Sequence, residues 1–226
     1  MKEKIKEALE SVCNKDGFRE FIKKPFVQNV YGKKCAIATD SLLLVCYSGL
    51  QDVIKDYELN KPEYVPIIEN VFEKNILDSA SEEIRTKELL DLLGFIPSEP
   101  KYEEIECAEC DGKGTVIAFI YETSTGKDMP IECDCPVCDG YGVFLTNKII
   151  GKRYDSSYLI KIKEAYFNPQ RVYNLYTFLN KVGIETIKFT TSQKQRLYFK
   201  TNEFFGVLIG TLTGDEKIIE YKGINK

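Results

Sequence analysis

The chain has 226 residues, 43% apolar and 29% charged, with a formal net charge of −4 and neither histidine nor tryptophan; this is the balance of a soluble globular protein with one large domain or two small ones. Without histidine, His-based triads, His general acid–base catalysis and mixed Cys/His metal sites are excluded, so any bound metal must be held by thiolates or carboxylates. No apolar run approaches the roughly 20 residues that span a bilayer, and the N-terminal MKEKIKEALESV has no apolar h-region of a secretory signal; the expected compartment is the cytoplasm, away from membranes.

Lys2–Val12 has the spacing of an amphipathic helix, with Ile5, Ala8, Leu9 and Val12 on one face and Lys2, Lys6 and Glu10 on polar faces. Asn14–Gly17 is turn chemistry. Phe26–Tyr31, Lys34–Thr39 and Leu42–Tyr47 are rich in β-branched and aromatic residues and predict a β-meander turning at Tyr31-Gly32 and Asp40-Ser41. Pro62 and Pro66 punctuate a looser stretch. Ile67–Asn75 and Ser81–Leu93 predict helices or turns, the second capped by Ser81 and stopped by Gly94. Pro97-Ser-Glu-Pro100 marks a boundary. Beyond it, Thr115–Glu122 and Met129–Glu132 flank Ser124-Thr-Gly126 as a hairpin. Tyr154–Ala165 alternates as one long strand or two. Asn168 caps a helix over Pro169–Val182 that buries Val172, Leu175, Tyr176, Leu179 and Val182, shows Arg171, Asn174, Asn180 and Lys181, and ends at Gly183. Strands follow at Ile184–Thr190, Gln195–Lys200 and Phe204–Thr211. A helix followed by a meander therefore occurs twice.

Charge follows the same division. Residues 1–98 carry 14 basic and 17 acidic side chains, residues 99–150 carry 4 and 11, and residues 151–226 carry 13 and 7. The middle segment, net −7, should avoid phosphate backbones, while the last third, net +6, is suited to approach them.

The phrase C-x-x-C-D-G-x-G occurs twice, as CAECDGKG at Cys107–Gly114 and CPVCDGYG at Cys135–Gly142. Cys107, Cys110, Cys135 and Cys138 suit one tetrahedral, structural Zn²⁺ per chain, because two intervening residues let both sulfurs of a pair face one ion. The Asp-Gly steps supply the positive-φ turn that aims backbone N–H groups at the sulfurs. Four protein ligands leave no open position for catalysis, and neither CxxC opens a helix after a strand as a thioredoxin motif would. Cys133 is a bystander or an exchanging ligand. Cys13, Cys35 and Cys46 are expected to be buried apolar thiols. The repeated phrase resembles the zinc-binding repeat of DnaJ-type chaperones over about residues 105–142. That resemblance implies the local zinc hairpin and, with no histidine for an HPD motif, no co-chaperone activity.

Lys33–Val45, KKCAIATDSLLLV, resembles the strand–turn–strand of bacterial DNA polymerase III β sliding clamps and their phage relatives. Arg171 to Thr211 resembles a clamp repeat as well: a helix, then IETIKFTT, QRLYFKT and FFGVLIGTL. Ser41 stands where that turn carries glycine, no basic residue follows at Leu43, and Leu208-Ile-Gly-Thr211 replaces the usual methionine-proline ending; clamps as a rule carry no zinc insertion. The resemblance implies an α+β fold of two helix-plus-antiparallel-sheet repeats, residues 1–98 and 151–226, with a zinc-binding hairpin inserted at 99–150. It implies a non-enzymatic protein of phage or mobile-element replication that meets duplex DNA without reading sequence, through Lys2, Lys6, Arg171 and Lys181 on the helices. A ring of six repeats would require a trimer. No phosphate-binding loop or spaced carboxylate pattern points to an enzyme. The alternative is a protein-interaction module in which the acidic zinc hairpin, with Val116, Ile117, Phe119 and Ile120, offers a strand edge to a peptide or partner protein.

Overall fold

The computed structural model describes residues 1–15, 17–58, 62, 65–73 and 75–222. Asp16 of the expected Asn14–Gly17 turn and Lys74 of the expected Ile67–Asn75 element lie outside the described residues. The chain divides into two compact units, Met1–Pro97 with Tyr154–Lys226, and Ser98–Arg153.

The first unit opens with α1 (Lys2–Val12), whose buried residues are Ile5, Ala8, Leu9 and Val12. The short α2 (Glu20–Lys23) leads into an antiparallel meander of β1 (Phe26–Val30), β2 (Lys33–Thr39) and β3 (Leu43–Tyr47). Tyr31 and Gly32 both adopt positive φ, 51° and 73°, the backbone that a two-residue hairpin needs to match strand twist. The next turn is built on Asp40, whose Oδ1 accepts from the amides of Leu42 (2.8 Å) and Leu43 (2.7 Å). Ser41 sits there at φ 78°, a left-handed conformation that costs a residue with a Cβ about 1–2 kcal/mol. Ser41→Gly is therefore expected to stabilise the unit by about 1 kcal/mol, read as a rise in the urea midpoint.

After α3 (Gln51–Asp56), only Ile68–Val71 of the expected Ile67–Asn75 element is helical, as one 3₁₀ turn. The expected single helix Ser81–Leu93 is a strand and a helix: β4 (Glu82–Arg85), then α4 (Thr86–Leu93). Glu82–Arg85 is drawn out of the helix because it pairs with Thr186–Phe189 from the last third. Ser81 therefore caps nothing; Arg85 N–H donates instead to Glu88 Oε2 at 2.8 Å.

The second unit has β5 (Ser98–Glu106), β6 (Thr115–Glu122), β7 (Lys127–Asp134) and β8 (Val143–Tyr154), paired as the ribbons β5–β8 and β6–β7. The predicted hairpin is β6–β7, closed by Glu122 opposite Lys127.

Back in the first unit, of the one strand or two expected over Tyr154–Ala165 the structure has two, the hairpin of β9 (Tyr158–Ile162) and β10 (Ala165–Phe167). Helix α5 (Pro169–Val182) starts where Asn168 Oδ1 accepts from Gln170 N–H at 2.9 Å. Its buried face is Val172, Leu175, Phe178 and Leu179, while Tyr176 and Val182 pack at the margin. The meander β11 (Thr186–Ser192), β12 (Arg196–Lys200) and β13 (Phe204–Ile209) follows, then β14 (Lys217–Tyr221), which joins β9 in parallel.

The fold class is α+β, helices on antiparallel sheet, as the sequence implied. The strand order β1-β2-β3-β13-β12-β11-β4 is nearly palindromic. The two meanders meet at an antiparallel seam where Tyr47 faces Phe204, Val45 faces Gly206 and Leu43 faces Leu208, and α1 lies against α5. An approximate two-fold axis through the seam thus relates the two helix-plus-meander segments. Leu43, Val45 and Tyr47 pack with the helices, and Leu44 and Cys46 pack with Ile68, Phe72, Phe21 and Ile22 on the other face. Burial on both faces explains why β3 is a continuous apolar run rather than an alternating one.

Candidate metal centre

Each copy of C-x-x-C-D-G-x-G forms a knuckle between two strands, Cys107–Gly114 between β5 and β6 and Cys135–Gly142 between β7 and β8. The two knuckles make the same bonds. Gly112 N–H donates to Cys107 O and Gly140 N–H to Cys135 O, both at 3.2 Å. Lys113 N–H donates to Cys110 O at 2.9 Å and Tyr141 N–H to Cys138 O at 3.0 Å. The last glycine of each phrase aims its amide at a sulfur: Gly114 N–H at Cys110 Sγ (3.3 Å) and Gly142 N–H at Cys138 Sγ (3.1 Å). Reciprocal bonds lock the pair, Cys107 N–H to Gly142 O and Cys135 N–H to Gly114 O, both 2.8 Å. Asp111 and Asp139 take left-handed φ of 49° and 51°, which short polar side chains tolerate.

All four cysteines are buried, and their sulfurs lie within 4.8 Å of one another. The separations Cys107–Cys135 and Cys110–Cys138 are 3.9 and 3.7 Å. Sulfurs at about 2.3 Å from a tetrahedral ion stand about 3.8 Å apart, so the quartet fits a single metal ion. It does not fit disulfides, whose sulfurs approach to about 2.05 Å. Burial, aided by the neighbouring sulfurs, pushes the Cys138 thiol up to about 11. Cys135, despite burial, falls below the ordinary thiol value because the amides of Cys138 and Val137 donate to it. A bound ion would draw all four into the thiolate form.

The glycines are needed for steric reasons too. A Cβ on Gly114 would stand 2.3 Å from Gly140 O, and one on Gly142 would stand 2.4 Å from Gly112 O. These are backbone atoms of the opposite knuckle, and both glycines have positive φ, 77° and 75°. Gly114→Ala is expected to weaken metal binding by about 10–100-fold, the usual effect of losing an outer-shell hydrogen bond, measured by competition with a colorimetric chelator. Cys133 stands apart from the quartet, half-buried, with its Sγ on Val116 O at 3.8 Å. Cys35 and Cys46 are buried and Cys13 half-buried; burial raises Cys13 and Cys35 to about 11 and Cys46 well above the usual range, leaving them weak nucleophiles.

The helix cations fall into separate settings. Lys2 and Lys6, one turn apart on α1, converge on Asp56 of α3 at 3.1 and 3.4 Å. Hydrogen bonding to Lys2 first, then Lys6, holds that carboxyl below its ordinary value. Lys181, near the end of α5, donates to Glu7 O on α1 at 3.3 Å. Arg171, at the other end of α5, donates from Nη1 to Ile209 O (3.0 Å) and Gly210 O (2.9 Å). It therefore ties α5 to the end of β13. Arg171→Ala is expected to lower stability by about 1.5–3 kcal/mol, the range for hydrogen bonds to a charged group; a residue that only touched DNA would leave the urea midpoint unmoved. The pairing of Asp56 with Lys2 and Lys6 had no signal in the sequence, since the partners come from different elements.

Among solved structures, the chain is similar to DNA polymerase III subunit beta from Pseudomonas aeruginosa, with 11% identity and a TM-score of 0.46 over 93% of this chain and 63% of that one. It is similar to a putative DNA polymerase III beta subunit from Eubacterium rectale, with 13% identity and a TM-score of 0.38 over 93% of this chain and 62% of that one. The sliding clamp (DNA polymerase III subunit beta) from Bartonella birtlesii, solved bound to griselimycin, is 8% identical with a TM-score of 0.44 over 94% of this chain and 64% of that one. The chain thus spans less than two thirds of the length of each. No protein-family model and no curated protein matches it. No helix among the described residues is long and apolar enough to cross a membrane.

Proposed function

We propose that the chain is a non-enzymatic, clamp-like protein of DNA replication, with clamp-like repeats in residues 1–98 and 151–226 and one structural zinc ion in the segment between. The observation that carries the reading is the seam at β3 and β13, which sets two helix-plus-meander segments about an approximate two-fold axis with α1 beside α5. The segments that resemble clamps in sequence, Lys33–Val45 and Arg171–Thr211, are the ones that meet there. Paired helices on one face of a sheet form a surface that follows a duplex without reading bases, and Lys2, Lys6 and Lys181 are its candidate phosphate contacts. A closed ring would come from a homo-oligomer, a trimer for six repeats.

Zinc is the ion best matched to four thiolates in a closed tetrahedral set, and it supplies a cross-link rather than a reaction. Metal analysis should return about one zinc per chain; none would end that reading. Encirclement is tested by retention on nicked circular DNA before and after linearisation. Loss of retention on linearising supports a ring, and equal retention argues against it. A strictly monomeric mass by light scattering, with no DNA retained, overturns the clamp reading.

A further inference from the structure

The β6–β7 ribbon has a face that nothing in its own unit covers. Register places Ile117, Phe119 and Tyr121 of β6 opposite Glu132, Pro130 and Asp128 of β7, and cross-strand partners share a face. The β6 row is exposed by 68%, 69% and 63%. Beside it runs an acidic row, Asp128 and Glu132, with Asp134 opposite Thr115 at the knuckle end. There the ribbon adjoins a groove of about 620 Å³ whose lining includes Thr115, Val116, Ile117, Pro130 and Ile131, with Glu109, Asp111 and Glu132 outnumbering Lys113 among its charged residues. Both ribbon strands have an unpaired outer edge, because β6 and β7 form a sheet of two.

A solvated strand pair normally alternates polar and apolar residues, with the polar face outward. Here the row is apolar and outward, beside a row of like charge. From this geometry we infer that the ribbon face docks an extended partner segment whose ribbon-facing positions, two residues apart, carry both apolar and basic side chains. Apolar side chains would lie on Ile117, Phe119 and Tyr121, lysines or arginines at other positions of the same strand face would meet Asp128 and Glu132, and main-chain bonds would add the segment to an open edge. Charge complementarity selects this occupant. Phosphate backbones are repelled by a segment of net −7, and two copies of the ribbon would bring acidic rows together. The inference does not depend on DNA binding.

The test is fluorescence anisotropy of the full-length, metal-loaded chain with a short labelled peptide carrying leucine and lysine in turn at every second position, with threonine between them, against the same peptide with glutamate for lysine. The lysine peptide should bind and the glutamate peptide should not. Ile117→Thr with Phe119→Thr, and separately Asp128→Lys with Glu132→Lys, should each weaken binding by about tenfold or more. Metal content equal to that of the unaltered protein would show that the ribbon is intact in each variant. Failure of the lysine peptide to bind, equal binding of both peptides, or unaltered binding by metal-replete variants overturns the proposal. So does a concentration-dependent doubling of mass that the variants abolish, since the occupant would then be a second copy.

Discussion

Cys110→Ser is expected to unfold the segment 98–153 and leave the rest of the chain folded. The reason is what that unit buries. Its cluster of buried residues is Cys107, Cys110, Cys135 and Cys138, with Val116 packed against them. Its other large apolar side chains, such as Ile117, Phe119, Tyr141 and Leu145, are exposed. There is no second core to fall back on, so an ion held by the four thiolates would supply most of the folding free energy. A structural zinc site contributes about 10–16 kcal/mol of apparent binding energy, comparable to or larger than the roughly 5–15 kcal/mol that holds a whole domain together. A serine hydroxyl does not replace a thiolate, so three cysteines would hold a metal ion far more weakly than four. Hydrogen exchange reads the outcome. The amides of Cys107 and Cys135, bonded across to Gly142 and Gly114, should lose protection, while those of β3 and β13 keep it. Equal loss at β3 and β13 would show that the units fold as one. Acid should act in the same way, because protons compete with the ion for thiolates: affinity is full where the thiolates form and falls as pH drops.

Phe178→Ala should have the largest effect on the other unit, about 3–5 kcal/mol. Phe178 projects from α5 and is 1% exposed. Its ring meets Phe204 edge-on, 5.4 Å between centroids at 78°. Phe204 in turn lies 4.7 Å from Tyr47, its partner across the β3–β13 seam. One side chain therefore holds the helix, the seam and both halves of the sheet, and its removal leaves a cavity walled by groups from all three. Tyr176→Ala, at the partly buried margin of the same helix, should cost less. A urea midpoint measures the difference, and metal content should not change with either variant. Equal losses at the two positions would show that the seam contact is not the pivot.

The elements legible in the sequence share a physical property: their cause lies within a few residues. The repeat at Ile5, Ala8, Leu9 and Val12 yields α1 because side chains three and four apart share a helix face. Tyr31-Gly32 and Asp40-Ser41 turn where predicted, and Asn168 caps α5 where predicted. Where the structure departs from local preference, the cause is distant. Glu82–Arg85 has enough helical character to join α4, but its pairing with β11, a hundred residues away, outweighs local preference. Phe178 is buried although it was not on the predicted face, because α5 packs against both α1 and the seam. β14 is not among the expected strands, although Ile218, Ile219 and Tyr221 favour one; parallel pairing with β9 orders it.

By itself, then, the sequence determined the quartet of cysteines and its chemistry. Spacing within each CxxC and the glycines after it set the bond geometry of each knuckle over eight residues; the bonds between Cys107 and Gly142 and between Cys135 and Gly114 bring the two knuckles together. It also determined the helix faces and the turns. Tertiary structure alone decided that β3 pairs with β13, that Arg171 ties α5 to β13 while Lys2 and Lys6 share Asp56, and that Ile117, Phe119 and Tyr121 stay exposed beside an acidic row. Those outcomes depend on which strands meet, and strand pairing is a competition among distant segments that no local pattern encodes.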